Sequence, residues 1–111
     1  MQGAEVGKLK NRISIYERVK SRSLHGEEVY TYPLLRKVWA NVIGYNAKFS
    51  ETGVEHSNEV TWRVIMRYAT DFHKGFRVGY NGKTLEMNHE PLLVEGGKQY
   101  IFVDCTEKVE L

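Results

Sequence analysis

Residues 76–88 have the sequence FRVGYNGKTLEMN, in which two short alternating segments flank the dipeptide Asn81-Gly82. Asn-Gly between alternating segments favours a two-residue type I′ turn, because both central residues of that turn must take a positive φ angle. The residues expected on the apolar face of the two arms are Phe76, Val78, Tyr80, Leu85 and Met87. This stretch therefore predicts an antiparallel hairpin with one buried face.

The segment before this hairpin, residues 60–69, is the clearest single strand in the chain. It is dense in β-branched and aromatic residues, which favours a strand over a helix. Alternation predicts a core-facing set of Val60, Trp62, Val64, Met66 and Tyr68. The opposite set, expected on an exposed or interfacial face, is Thr61, Arg63, Ile65 and Arg67.

Further strands are predicted on either side of these two elements. Their expected positions are residues 12–18, 29–32, 34–48, 91–95 and 99–106, and residues 20–28 are expected to form a loop with Gly26 at its turn. Gly44 is expected to mark a bulge or a bend in its strand. Turns every 8–15 residues predict an all-β fold, a small antiparallel barrel or sandwich of about six strands with one long polar loop.

Length and charge limit the possible classes of protein. A chain of 111 residues predicts one domain, with residues 1–11 as a flexible arm and residues 12–111 as a single barrel. A formal net charge of +2 argues against a protein that mainly coats nucleic acid. No apolar run suits a signal peptide or a membrane span, and the single cysteine excludes an internal disulfide, so we expect a cytosolic protein.

The chemistry-bearing residues favour no catalytic or metal site. The four histidines, at positions 25, 56, 73 and 89, are not spaced as zinc ligands, and only an accident of the fold would bring His73, His89 and Cys105 together. Cys105 lies in an alternating strand, which favours a core residue over a nucleophile. No phosphate-binding glycine loop is present. We expect no enzyme, no cofactor and no metal.

Basic residues interleaved with aromatic ones leave a nucleic-acid surface open as an alternative. Such a surface would stack bases and contact phosphates, as oligonucleotide-binding barrels do. Its members would be Arg63, Arg67, Arg77, Lys83 and Lys98, with Trp62, Tyr68, Tyr80 and Tyr100. The competing interpretation, core aromatics with solvated basic residues opposite them, fits the alternation at Trp62 and Tyr68 better. Arg63 and Arg67 remain a candidate basic face.

Five segments in order resemble the phage head-tail joining, or head completion, family. They are RISIYE at 12–17, VWANV at 38–42, EVTWRVIMRY at 59–68, FRVGYNGKTLEMN at 76–88 and YIFVDC at 100–105. The resemblance implies a six-stranded barrel that forms a ring below the portal, retains packaged DNA and joins the tail. It implies a portal or adaptor ring and a tail-completion protein as partners, and no cofactor. A tail-completion or tail-tube protein remains the alternative.

The polar segment 47–59 is the candidate channel or interface loop. Loops of about this length without their own structure are uncommon in compact domains and are often functional. Its candidate residues are Lys48, Ser50, Glu51, Thr52, Gly53, Glu55 and His56. Many family members carry a Gly-Glu pair at the start of this segment, whereas here Gly53 and Glu55 are separated by Val54. An idle surface loop is the competing interpretation.

Overall fold

A computed structural model describes residues 9–46, 60–94 and 99–108 of the chain. Residues 1–8 of the predicted arm 1–11, the polar segment 47–59, and residues 95–98 and 109–111 lie outside the described residues. Within the described residues no helix is long and apolar enough to cross a membrane.

The described residues form nine strands. They are β1 (Asn11–Tyr16), β2 (Val19–Arg22), β3 (Glu28–Thr31), β4 (Leu34–Asn46), β5 (Val60–Arg67), β6 (Arg77–Tyr80), β7 (Lys83–Met87), β8 (Leu92–Leu93) and β9 (Tyr100–Glu107). One sheet runs β5-β4-β1-β6-β7-β9-β8, and β5 also pairs with β9, so six strands close into an antiparallel barrel. The predicted all-β barrel of about six strands is confirmed.

The hairpin of β6 and β7 has the predicted turn. Asn81 and Gly82 have φ angles of 51° and 80°, the two positive values that a type I′ turn needs. Val78 pairs with Leu85 in the ladder, and both side chains are fully buried. Phe76 lies just before β6, where its carbonyl accepts a hydrogen bond from the Met87 amide at 2.9 Å.

The core is formed by the inward-facing residues of six strands. Those with at most 1% of their surface exposed include Ile13, Ile15, Val64, Val78, Leu85 and Val103. Fully burying one such side chain contributes about 1.5–3 kcal/mol. The alternation predicted for β9 is also confirmed, since Ile101, Val103 and Cys105 are buried, whereas Tyr100 and Phe102 are only partly covered.

Two predictions for β5 are wrong. Tyr68 is 46% exposed, because the alternation ends with the strand at Arg67. Ile65 is 8% exposed although it lies on the outer face, where its cross-strand neighbour is Phe102. Val64 and Met66 face the core as predicted, and Trp62 packs against it.

Gly44 is not at a bulge, which corrects the sequence prediction. It pairs with Trp62 in the regular β4–β5 register. A Cβ atom at Gly44 would lie only 2.8 Å from Cζ3 of the Trp62 ring. The indole ring therefore packs directly against the β4 backbone at Gly44 and leaves no room there for a side chain.

The expected loop at residues 20–28 is instead most of a second hairpin. β2 and β3 pair only with each other, and every residue of both strands is exposed. Sequence alternation was absent here because no face of the hairpin is buried. Gly26 has a φ angle of 83°, as its predicted turn position requires, and Leu24 at the tip is 99% exposed. We call residues 19–31 the projecting hairpin.

Of the strand predicted at residues 91–95, the structure has only the two residues of β8, Leu92–Leu93, as a strand. It lies along the same edge of β9 as β7, which makes β7 and β8 one interrupted strand. The Asn88 amide donates to the carbonyl of Asp104 at 2.9 Å, so this edge of β9 stays hydrogen-bonded across the interruption.

Candidate functional site

The projecting hairpin and the polar segment leave the barrel at opposite ends of β4. Leu34, where β4 begins, pairs with Tyr16, and the hairpin lies between these two residues in the chain. The chain leaves β4 at Asn46 and enters β5 at Val60. Strands rise about 3.4 Å per residue, so these two ends of β4 are about 40 Å apart.

Two arginine–tyrosine contacts hold the base of the projecting hairpin. The Arg18 guanidinium lies 4.6 Å from the centre of the Tyr30 ring, and the Arg77 guanidinium lies 3.7 Å from that of Tyr32. Arg18 also packs over Gly75, where a Cβ atom would lie 2.6 Å from its Cζ. The hairpin base is thus fixed to the barrel, whereas its tip projects into solvent.

Arg63, the first member of the predicted basic face, is engaged within the subunit. Its Nε and Nη2 atoms donate to the two carboxylate oxygens of Asp104 at 2.8 and 3.1 Å. The guanidinium also lies 4.4 Å from the centre of the Phe102 ring. The hydrogen bonds from Arg63 hold the pKa of Asp104 below its ordinary value. The charge of Arg63 is therefore largely balanced by Asp104.

Arg67, the second member, is exposed on the same face of β5. It lines a shallow depression of about 300 Å³ together with Trp39 and Tyr68, which are 52% and 46% exposed. Arg12 lines the same depression and lies 5.0 Å over the Trp39 ring. This is a small amphipathic surface whose aromatic residues are half exposed. Arg67 and Arg63 share a face of β5, but only Arg67 lines this depression.

The wider set proposed for nucleic-acid stacking does not form one surface. Trp62 and Tyr80 pack against the core, with their ring centres 6.0 Å apart. Arg67 and Tyr68 line the Trp39 depression, whereas Arg77 and Lys83 line a separate groove. Lys98 lies outside the described residues.

That separate groove has a volume of about 570 Å³. We call it the basic–tyrosine groove, defined by Arg12, Tyr16, Tyr32, Arg77, Tyr80 and Lys83. Sequence reasoning missed Arg12, Tyr16 and Tyr32 as members. The only signal for them was the alternation in residues 12–16, which places Arg12 and Tyr16 on the face opposite Ile13 and Ile15.

No carboxylate is among the described residues that line the groove. Glu86 is the cross-strand neighbour of Arg77, but its carboxylate lies 3.5 Å from the ammonium group of Lys108. The Nε atom of Arg77 is buried and has no hydrogen-bond partner within the described part of the chain. The groove therefore carries positive charge that the barrel itself does not balance.

Cys105 is a core residue, as its strand pattern predicted. It is fully buried, and burial together with the nearby Asp104 charge raises the pKa of its thiol to about 12. A thiol in this state does not supply a thiolate nucleophile at neutral pH.

The histidines are engaged separately. His73 lies 3.1 Å from a carboxylate oxygen of Glu90, and Nε2 of His89 accepts a hydrogen bond from the Asp104 amide at 3.1 Å. Cys105 points into the core, away from both. Among the residues that the structure describes, no group of three metal-ligating side chains is found.

A small closed barrel that carries a projecting hairpin, an aromatic depression and a charged groove defines a structural protein with surfaces for assembly. The family model for phage head completion proteins matches residues 4–108, and the chain belongs to this family. It is a head-completion structural subunit of a phage-type virion. The family indicated by the five sequence segments is thereby confirmed.

Two solved structures are similar over nearly the whole chain. The solution structure of protein SF1141 from Shigella flexneri 2a has a TM-score of 0.69 and 25% identity, with 95% of this chain and 97% of that chain covered. A chain from the virion of a native gene transfer agent particle has a TM-score of 0.70 and 14% identity, with 92% and 96% covered. At 14% identity this second likeness shows the fold alone. No curated protein sequence matches the chain.

Proposed function

We propose that the protein forms a ring under the portal after DNA packaging, where it helps to retain the packaged DNA and joins the head to the tail. Its partners on this proposal are the portal or adaptor ring, the tail-completion protein and further copies of itself. It is made and assembled in the host cytoplasm and acts without catalysis. The family match over residues 4–108 supports the head-completion part of this proposal.

The observation that supports a ring subunit with separate contacts toward the head and the tail is what lies at the two ends of β4. A subunit between a head and a tail needs separate surfaces toward each, and contacts to neighbours in a ring are heterologous. The barrel places the projecting hairpin at one end of β4 and the start of segment 47–59 at the other. Leu24, almost fully exposed at the hairpin tip, provides an apolar contact for a partner at its end.

For segment 47–59 we propose a position at the channel or against a neighbouring ring. The segment begins and ends on adjacent strands, β4 and β5, which pair up to Asn46 and Val60. Shortening or replacing it therefore leaves the barrel ladder intact. Its polar composition suits ordering on assembly, when binding offsets the entropy lost by the segment.

Sedimentation tests the head-completion proposal directly. Purified protein is mixed with DNA-filled tailless heads of its phage, with purified tails, and with an equal amount of free DNA. We expect the protein to sediment with heads alone, and image averaging then counts its copies around the portal axis. Sedimentation with tails alone supports a tail-completion or tail-tube protein. Sedimentation with free DNA that is lost at high salt supports a nucleic-acid-binding barrel.

A replacement variant tests segment 47–59. Exchanging residues 50–56 for a glycine-serine stretch of the same length should leave the urea midpoint unchanged within error, because the β4–β5 ladder is untouched. We expect the variant to impair either ring assembly or DNA retention in filled heads. A variant that assembles and retains DNA as the native chain does would show that this segment is an idle surface loop.

A further inference from the structure

The charged side chains that line the basic–tyrosine groove are all basic. Three basic residues, Arg12, Arg77 and Lys83, line it, and no acidic residue does so within the described chain. By comparison, Arg36 and Arg63 each make two hydrogen bonds to a carboxylate of their own subunit. Within the described residues, Arg12 and Arg77 of the groove make no such pair with a carboxylate.

Arg77 is held ready for an oxygen ligand. Its guanidinium stacks on the Tyr32 ring at 3.7 Å, which limits its rotamers, and its buried Nε–H has no acceptor in the described residues. A buried donor without a partner is destabilising. A planar guanidinium that is already positioned by stacking suits bidentate binding of a carboxylate or a phosphate.

The dimensions of the groove favour a peptide over a DNA duplex. Its floor spans three strands, β1, β6 and β7, about 10 Å across, and runs about 14 Å from Arg12 to Tyr16. Arg77 is half-buried within this narrow floor. Tyr16, Tyr32 and Tyr80 add ring faces and hydroxyl groups, which are enriched where proteins bind one another.

We infer that the basic–tyrosine groove binds an acidic, extended segment of another virion protein, with a carboxylate of that segment on Arg77. The inference rests on the proposed function, since it assigns a partner surface to the assembling subunit. Binding of the segment balances the groove charge. The tyrosine rings cover the apolar parts of the same segment.

The first test uses the isolated protein and two probes, a hexaglutamate peptide and a 20-base-pair DNA duplex. At low salt the peptide should shift the Nε–Hε signal of Arg77 and the amide signals of residues 77–84 in NMR spectra. Loss of one charged hydrogen-bonding group should weaken peptide binding about tenfold in Arg77→Ala. Arg67→Ala, which removes an exposed arginine outside the groove, is the matched control and should change the affinity less than twofold.

Two further variants test whether a loss of peptide binding comes from the groove itself rather than from unfolding. Arg77→Lys keeps the charge but removes the planar guanidinium group. Lys83→Glu reverses a charge at the rim of the groove, next to the Asn81-Gly82 turn. Both should keep the native spectrum and weaken peptide binding. Unperturbed groove signals, equal losses in Arg77→Ala and Arg67→Ala, or groove signals that shift only with the duplex would each overturn the inference.

Sedimentation with filled heads separates this inference from the proposed function. Loss of head binding in Arg77→Lys and Lys83→Glu, with Arg67→Ala unaffected, supports the groove as the partner surface. If all variants bind filled heads equally, the groove is not the partner surface, and the head-completion proposal still stands. A native protein that does not bind heads refutes the proposed function, whatever the peptide titration gives.

Discussion

Replacing Gly44 with alanine should destabilise the barrel, although alanine ordinarily improves a strand. Without a clash, removing a glycine from a strand interior contributes about 0.5–1 kcal/mol of stability. At this position the new Cβ would lie 2.8 Å from Cζ3 of Trp62 and 3.0 Å from Cε3. Ordinary carbon contacts are about 3.5–4.0 Å, so the ring would have to retreat by roughly 0.7–1.2 Å.

The indole ring has little room to retreat. It packs against the core on one side, and the ring of Tyr80 lies 6.0 Å away at a tilt of 59°. Overpacking of this kind costs about 1–3 kcal/mol. After the gain in strand propensity, we expect Gly44→Ala to lose up to about 2.5 kcal/mol, which for a domain of this size lowers Tm by up to roughly 10 °C.

Urea unfolding followed by tryptophan fluorescence and far-ultraviolet circular dichroism measures this loss. The decisive comparison is a double-mutant cycle with Trp62→Leu, which removes the ring edge that the Cβ would meet. In that background Gly44→Ala should be neutral or stabilising, with a coupling of about 1 kcal/mol or more between the two sites. A rise in Tm for the single variant, or an equal loss in both backgrounds, would refute the packing explanation.

Three further predictions follow from single side chains. Asp104→Asn should lose about 1 kcal/mol at pH 7, because it replaces the partly exposed carboxylate paired with Arg63. Since the pKa of Asp104 is lowered in the fold, this stability is present above the ordinary carboxyl pKa of about 4 and is lost as the pH falls through the lowered value. The urea midpoint of the variant should therefore fall less than that of the native protein as the pH is lowered. Identical plots of urea midpoint against pH for the two proteins would contradict this. Cys105 should react with a thiol reagent only in urea, because it is buried and its pKa is about 12; rapid labelling of the native protein would show that this strand opens. Leu24→Asp should change the unfolding free energy by less than about 0.5 kcal/mol yet reduce sedimentation with filled heads, and unchanged head binding would remove the hairpin tip from the proposed contacts.

The barrel could be predicted from the sequence wherever a strand has one buried face. Ile13 and Ile15 in β1, Val64 and Met66 in β5, and the β6–β7 hairpin all show the period of two that burial imposes. The turn at Asn81-Gly82 was predictable for a local reason, since few residue pairs accept two positive φ angles.

The projecting hairpin could not be predicted from alternation. Both faces of β2 and β3 are exposed, so burial selects no pattern of apolar residues along them. The sequence features tied to its structure were Gly26 at the turn and the strand predicted at residues 29–32, which corresponds to β3. In this hairpin Val19 pairs with Thr31, and Lys20 forms an exposed ion pair with Glu28.

The basic–tyrosine groove was hidden for a different reason. Tyr16 and Arg77 are far apart in the sequence and become cross-strand neighbours only because β1 pairs with β6. The order of strands in the barrel, which alternation does not encode, decides which outward-facing residues share a surface. Sequence analysis therefore found Arg77 and Lys83 but assigned them to a surface with Arg63 and Trp62.

Strand register also decides which arginines serve the fold and which are left for a partner. Arg63 and Arg77 both occupy outward positions on strands of the barrel, and nothing in their local sequence separates them. Register places Asp104 directly opposite Arg63, whereas Arg77 has Tyr16 and Glu86 as its neighbours. Glu86 is ion-paired with Lys108, and no other carboxylate pairs with Arg77 among the residues that the structure describes. Removing Arg63 should therefore change chiefly the free energy of unfolding, and removing Arg77 should change chiefly the binding of the acidic partner.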